Sequence, residues 1–533
     1  MKKLVVILAI ILVIAMAFTA CAQATPTPTP APTTPAVTPT QPVTTPTTPV
    51  ATTPAIKKGG ILRYVYPYSP TSTPGWPNDR SNVQRMWTQW TIFEPLIKMQ
   101  ADGKPGPWLA TSWEWGPQNT YVTFTLRKGV KFHDGTNFTS EAVKMEGDLI
   151  ISTKESNTVT WDRWEIIDDY TVRLYLKHYQ NDFWGTVAGI NMCFFSPTAY
   201  KARGEAWMKE NPIGTGPFKF KSFEKDVSLK FVKNPDYWQP GKPYVDEIHM
   251  ITVKEALTQQ ATMQAGDGDI LALQQGKILA DMKALGFTVL SSFGGTDFII
   301  FDTKNADSQY SDVRVRMAIE HALNKQDMVD ALGFGFLVKN NQMPPPNNPS
   351  HNRNLPSRDY DPAKAKALLA EAGFPNGFQA KMITVGAAPK ALAIQEYLKA
   401  VGIRVTLESV DNAKFWDYNM RGWSGMLDTG FAVGTNFPAW LRAYFPPVGI
   451  FSVSSKIPDE IVAKIEPALR EIDPVKAKAM SDEILKMVYE NATFIPIYSN
   501  AMGYILAKNI KGSGIFEFVD FSVWSPENVW IDK

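Results

Sequence analysis

The stretch from Asn211 to Trp238, NPIGTGPFKFKSFEKDVSLKFVKNPDYW, limits the fold more than any other part of the chain. Gly214, Gly216 and Pro217 favour a tight backbone reversal, because glycine tolerates positive φ and proline holds φ near about −65°. Phe218-Lys-Phe220 and Val227-Ser-Leu-Lys-Phe-Val232 alternate apolar and polar residues on either side of Ser222–Asp226, which predicts a β-hairpin. Asn234-Pro-Asp236 ends its second strand, and Tyr237-Trp238 opens the next packing surface.

A chain of 533 residues exceeds one hydrophobic core, so two or three domains are expected. With 54 basic and 52 acidic residues the net charge is +2, which argues against a nucleic-acid partner. The first 21 residues read as a targeting segment: Lys2 and Lys3, an apolar run from Leu4 to Phe18, then Thr19-Ala20-Cys21. Phe18-Thr-Ala-Cys21 resembles a lipoprotein box with Cys21 as the lipidated residue, although Phe18 and Thr19 depart from the commoner pattern. An uncleaved signal anchor is the alternative, since the run nearly reaches the ~18 residues a membrane span needs. Residues 22–56 are almost entirely Thr, Pro, Ala and Val with no charge before Lys57, a composition expected to stay unfolded. At ~3.1 Å per residue in polyproline II, this tether would reach roughly 100 Å. The second cysteine, Cys193, reads as a small buried hydrophobe.

Several segments occur together in a known order. They are Trp108-Leu-Ala-Thr-Ser-Trp-Glu114, Tyr121 to Thr139 (YVTFTLRKGVKFHDGTNFT), the Gly214-Thr-Gly-Pro-Phe218 hairpin, Asp312-Val-Arg-Val-Arg-Met-Ala-Ile319, and Tyr360 to Gly373. In this the chain resembles the peptide/nickel-type family 5 solute-binding proteins of ABC importers over nearly everything after residue 57. The resemblance implies an α/β fold of the periplasmic-binding-protein-like type II, cluster C, with two lobes, a hinge and an inserted extra domain. It places domain I at 57–90, 205–285 and 500–533, domain II at 91–204 and domain III at 286–499. It further implies an extracytoplasmic, lipid-anchored monomer that closes on a peptide-like solute and delivers it to permease and ATPase subunits, without catalysis, cofactor or metal.

The elements can be read directly. Tyr121–Leu126 alternates as an edge strand, and Thr139 or Ser140 caps a following helix. Val83 to Glu94 reads as a helix, and Ser311 caps another that runs to Leu323. Asp361-Pro362 is an N-cap followed by Pro at N1. Lys381–Val385, Pro389–Val401 and Ile403–Leu407 form a βαβ unit with parallel strands. Pro458–Arg470 and Pro474–Tyr489 are helices, and Phe494–Tyr498 is a short strand.

Closing around a solute calls for aromatic walls and a few fixed polar groups. The candidates are Tyr66, Tyr68, Trp416, Trp423 and Trp440, with Ser424 beside Trp423. In peptide-binding members a Gly-Trp-x-x-Asp segment supplies a carboxylate for the α-ammonium. Here the segment is Gly422-Trp-Ser-Gly-Met-Leu-Asp428, so Met426 stands at the acid's position and Asp428 two residues later. That departure leaves oligosaccharide as the second solute class. The five histidines are scattered, Gly266-Asp-Gly-Asp269 lacks the ligand spacing of a calcium loop, and no catalytic motif appears. A secreted hydrolase would need carboxylates such as Asp302, Glu320 or Asp411 to pair in space. A surface receptor that works without a permease is a third class.

Overall fold

The computed structural model describes residues 56–67, 85–154, 158–189, 192–386, 389–445, 449–516 and 524–532. Cys21, the tether up to residue 55 and Tyr68 lie outside them. The strands, in chain order, begin with β1 (Ile61–Tyr66) and a short pair, β2 (Ile97–Met99) and β3 (Pro105–Pro107). A four-stranded antiparallel sheet follows, made of β4 (Ala110–Trp115), β5 (Tyr121–Leu126), β6 (Trp161–Asp168) and β7 (Thr171–Leu176). The predicted hairpin is β8 (Phe218–Glu224) with β9 (Ser228–Lys233). Then come β10 (Glu247–Thr252), β11 (Ile270–Leu273), β12 (Thr288–Phe301), β13 (Leu337–Lys339), β14 (Gln379–Val385), β15 (Arg404–Val410), β16 (Met426–Ala432) and β17 (Phe494–Leu506). A terminal pair, β18 (Ile510–Lys511) and β19 (Trp530–Ile531), ends the chain.

One large sheet runs in the order β15-β14-β16-β12-β17-β11-β1-β10-β9-β8. β12 and β17 are its axis. They pair antiparallel from Thr288↔Leu506 to Ile300↔Phe494, with register shifts between Phe293 and Gly295 and between Asp297 and Phe298. At one end β17 carries β11, β1 and β10; at the other β12 carries β16, which carries β14. Gly294-Gly295 sits between the two halves, where bulges and missing side chains let a strand bend. A Cβ on Gly295 would stand 3.2 Å from both Asn500 Oδ1 and the Phe431 carbonyl. Separate hydrophobic cores flank the two halves, and a third lies inside the four-stranded sheet around Phe124, Trp161 and Trp164.

Several expectations change. β5 is interior, bonded to β4 and β7, so Tyr121–Leu126 is not an edge strand. Asp312, not Ser311, caps the helix Val313–His321, accepting from the Arg314 N–H at 2.8 Å. Thr139 occupies the N-cap of Ser140–Ser152 but its side chain bonds nothing there. The helix Arg85–Ile92 ends before Glu94. Phe494–Tyr498 is only the start of the 13-residue β17, whose remainder crosses into the other half. Asp361 does cap Pro362–Glu371, and β14 and β15 are parallel across the helix Pro389–Ala400.

The signature turn works by close approach and not by positive φ. A Cβ on Gly214 or Gly216 would fall 2.1 or 2.5 Å from the Ile92 carbonyl, and the Gly216 N–H donates to that carbonyl at 2.7 Å. His133 clamps the turn: its Nε2 lies 3.0 Å from the Gly216 carbonyl, and its Nδ1 accepts from the Gly214 N–H at 3.4 Å. Burial pushes this imidazole down to about 4, against the pull of the Gly216 carbonyl. The unfolded chain therefore takes up this proton near about pH 6.5, well before the folded one does. The stability difference between wild type and His133→Asn should be constant above about pH 6.5. It should shrink by roughly 3 kcal/mol as pH falls towards 4, measured by denaturant unfolding across pH.

Candidate functional site

In open α/β sheets ligands sit beyond the carboxyl ends of the strands, where the strand order switches. Both halves of this sheet turn those ends towards the crossing of β12 and β17. The last residue of β16, Ala432, pairs with Gly295, and the last residue of β11, Leu273, pairs with Gly503. β1 runs parallel to β11 and ends at Tyr66, and β14 runs parallel to β16 and ends at Val385.

A buried polar group occupies this crossing. Lys390, in the first turn of the helix Pro389–Ala400, puts its Nζ 2.5 Å from Asp297 Oδ1 on β12 and 2.8 Å from Asp428 Oδ1 on β16. Asn500 of β17 donates to Asp297 Oδ2 at 2.7 Å, and Thr384 of β14 donates to Asp428 Oδ2 at 3.1 Å. Gly430 makes room for this, because a Cβ there would lie 2.8 Å from Asp297 Oδ1. Burial pushes the Asp428 carboxyl up, against the opposing pull of Lys390. Burial also works against the Lys390 charge, yet Asp297 and Asp428 together hold that ammonium well above the usual lysine range. Two carboxylates share one ammonium, so the group keeps a surplus negative charge. Asp297 is the more accessible acid, its side chain 17% exposed against 2% for Asp428. Beside it Thr296 and Ser499 meet at 3.0 Å, and Asn340 donates to both, fixing the crossing strands to one another.

The candidate residues read from the sequence fall in different places. Asp428 belongs to this group, its Oδ2 bonded to Thr384 and its Oδ1 facing the Lys390 ammonium as an ion pair. Tyr66 ends β1 inside the core, edge-on to Tyr64 at 5.8 Å. Trp416 is 46% exposed on the helix Asn412–Arg421, edge-on to Phe431 at 6.2 Å. Trp440 is buried against Phe437 and Tyr444, and its indole N–H donates to the Ala432 carbonyl at 2.9 Å. Trp423 and Ser424 precede β16, at the end away from the crossing. Trp423 is packed in the core edge-on to Phe451, and Ser424 faces a separate cavity of about 650 Å³. Met426 is wholly buried opposite Phe301. Asp297, Lys390, Asn500 and Asn340 were missed. The signal was present in Gly294-Gly-Thr-Asp297, a glycine pair inside a strand followed by an acid.

The carboxylates a hydrolase would have to pair are each committed elsewhere. Asp302 accepts from Ser308 at 2.6 Å, and Asp411 caps its helix through the Lys414 N–H. Glu320 is ion-paired with Lys325 and Arg358 at 2.8 and 2.5 Å. Among the described residues, no three His, Cys, Asp or Glu side chains converge to hold a metal.

Comparison with known proteins supplies the family. The family described as bacterial extracellular solute-binding proteins, family 5, middle, matches residues 104–447. The chain belongs to that family. Heme-binding protein A of Haemophilus influenzae is 29% identical over 362 residues, 61% of this chain and 65% of that protein. The glutathione-binding protein GsiB of Salmonella choleraesuis is 25% identical over 470 residues, 84% of this chain and 90% of the relative. The structure of the DppA protein of Helicobacter pylori with the peptide STSA superposes with a TM-score of 0.76. It is 24% identical, covering 90% of this chain and 99% of that one, and shows a shared cluster C fold. As a family 5 protein this chain is the extracytoplasmic, non-catalytic solute-binding component of an ABC importer.

Removing the shared cation tests the charge group. Lys390→Met should cost roughly 3–5 kcal/mol at pH 7, since it leaves Asp297 and Asp428 facing each other without a counter-ion. Chemical denaturation compares it with the wild type, and a loss under about 1 kcal/mol would show the carboxylates to be well solvated.

Proposed function

We propose that this protein receives a peptide-like solute between its lobes, with the α-ammonium group seated near Asp297, and presents the closed form to a membrane permease. The surplus carboxylate at the strand crossing carries this reading: a group with two acids and one ammonium attracts a further cation. The STSA peptide of the Helicobacter protein and the glutathione of the Salmonella relative both bear a free α-ammonium, which supports it. In this reading domain I comprises 57–90, 205–285 and 500–533, the inserted domain II 91–204 and domain III 286–499; Ile92, Phe93, Cys193 and Phe195, at the ends of the insert, pack in the domain I core. Closure bends the chain at Gly294-Gly295. Trp416, with nearly half its surface open, also suits stacking on a sugar, so oligosaccharide is the second reading. Trp423, Trp440 and Tyr66 would then act as supports behind the wall. Lipid on Cys21 would tether the protein to the outer face of the cytoplasmic membrane through residues 22–56.

A panel of tripeptides and their N-acetylated counterparts, titrated by calorimetry, tests the ammonium seat. Free-amine peptides should bind at least about 10-fold more tightly than acetylated ones, and Asp297→Asn should abolish that preference. Binding of oligosaccharides alone would favour the second reading, and equal affinity for both peptide forms would remove the ammonium seat. Cys21→Ser should release the protein from membranes on fractionation. Persistent membrane association would favour an uncleaved anchor.

A further inference from the structure

Away from the crossing strands, a second polar seam joins the inserted domain to domain III, and its contacts converge on the short segment His178–Asp182. The helix Asp459–Arg470 ends without a glycine, and Glu471 leaves it in extended conformation. Its last carbonyls therefore need outside donors. Asn181 supplies them. Its backbone N–H donates to the Leu469 carbonyl at 2.8 Å, and its Nδ2 donates to the Ala468 and Glu471 carbonyls at 2.8 and 3.2 Å. The Oδ1 of the same side chain accepts from Asn436 Nδ2 at 2.7 Å. Asn436 is the N-cap of the helix Phe437–Tyr444, just beyond the cleft end of β16. One asparagine thus caps a helix of the opposite domain and grips the cap of a second.

Charge surrounds it. Arg442, on that second helix, lies 3.1 Å from Asp182 and 3.7 Å from Glu466, with the Arg442 and Asp182 side chains only 10% and 13% exposed. Gln180 donates to Glu466 at 3.4 Å, and His178 approaches the same carboxylate at 3.9 Å. The seam is also incompletely satisfied: Arg442 Nε and Nη1 and Gln180 Oε1 are buried without hydrogen-bond partners. Unmade buried bonds discount the net gain from such a contact, as suits one that forms and breaks repeatedly.

We propose that His178–Asp182 is the catch of a reversible latch that holds domain III against the inserted domain, with Asn181 as the helix cap and Asp182–Arg442 as the ion pair. The latch rests on the reading that the lobes close about the β12–β17 crossing. It sits on the opposite partner from the crossing strands, on contacts that lobe opening has to break. Asp182 makes no cap bond to its own short helix, so reversing its charge leaves that helix's bonds in place.

The test is a distance measurement on the full chain carrying Cys21→Ser, with nitroxide labels at Lys144→Cys and Lys486→Cys; Cys193 is buried and stays in place. Without any solute, the wild type should show a short-distance population. Asp182→Arg and Arg442→Asp should each deplete it by about fivefold or more, and the double swap should restore it. If a charge reversal fails to fold, Asn181→Ala, which leaves every charge in place, should deplete it in the same direction. Unchanged populations in the single variants, or no recovery in the swap, would overturn the latch while leaving the solute reading intact. One fixed distance in every variant and with every peptide of the panel would overturn lobe closure and the latch together.

Discussion

The buried carboxylate of Glu94 is the point on which the packing around the signature turn depends. Four side chains donate to it: Trp108 at 2.7 Å, Tyr237 at 2.8 Å, Thr215 at 2.9 Å and Trp238 at 3.1 Å. Burial pushes this acid up to about 7, and Lys98 with the donors pulls it back. Trp108 and Trp238 meet edge-on at 5.2 Å, with Lys98 over the first ring and Arg127 over the second. Three of the donors come from the two ends of the signature stretch and the fourth, Trp108, from a motif more than a hundred residues earlier. A carboxylate with this many donors leaves few alternative arrangements, because any slip strands a buried donor.

That knot ties Glu94 and Trp108 to the signature stretch, so a boundary that moves is expected elsewhere. On the proposed reading that boundary is where β12 and β17 cross. The strands there are irregular in register, glycine-rich, and held together by the Thr296–Ser499–Asn340 bonds. A hinge needs backbone that can bend and a contact that keeps the bend in register, and both occur within a few residues. The charge group of Asp297, Lys390 and Asp428 lies on the same stretch, so the place that bends also carries the local charge. On the proposed reading a cation at Asp297 would touch the hinge strand itself, which would couple solute binding to closure.

The fold was legible in the sequence because its cues are local. Asp361-Pro362 starts its helix, β14 and β15 are parallel across theirs, and the hairpin forms where alternation and turn residues required. The errors arose where tertiary contact overrode local pattern. Gly214 and Gly216 are small because the Ile92 carbonyl lies against them, and no φ argument could show this. Phe494–Tyr498 looked like a short strand because Asn500 and Gly503 interrupt its apolar run, yet pairing with β12 carries it onward. The site was less legible still. Trp423 and Met426 were read by their neighbours in the chain, whereas β16 sends one to a core before the strand and buries the other opposite Phe301.

By itself the sequence determined most elements and their order, since these rest on periodicity, caps and turn chemistry that act over a few residues, and the order of its motif segments carried the family resemblance. That resemblance also implied a two-lobed, non-catalytic binder. Only the tertiary structure decided that Glu94 gathers the scattered motifs, that Asp428 is tied to a lysine, and that Asp297 is the acid left partly open. The physical reason is distance in the chain. Lys390 and Asp297 are 2.5 Å apart across a strand crossing that no local rule encodes, and electrostatics acts on that separation and not on the residue count between them.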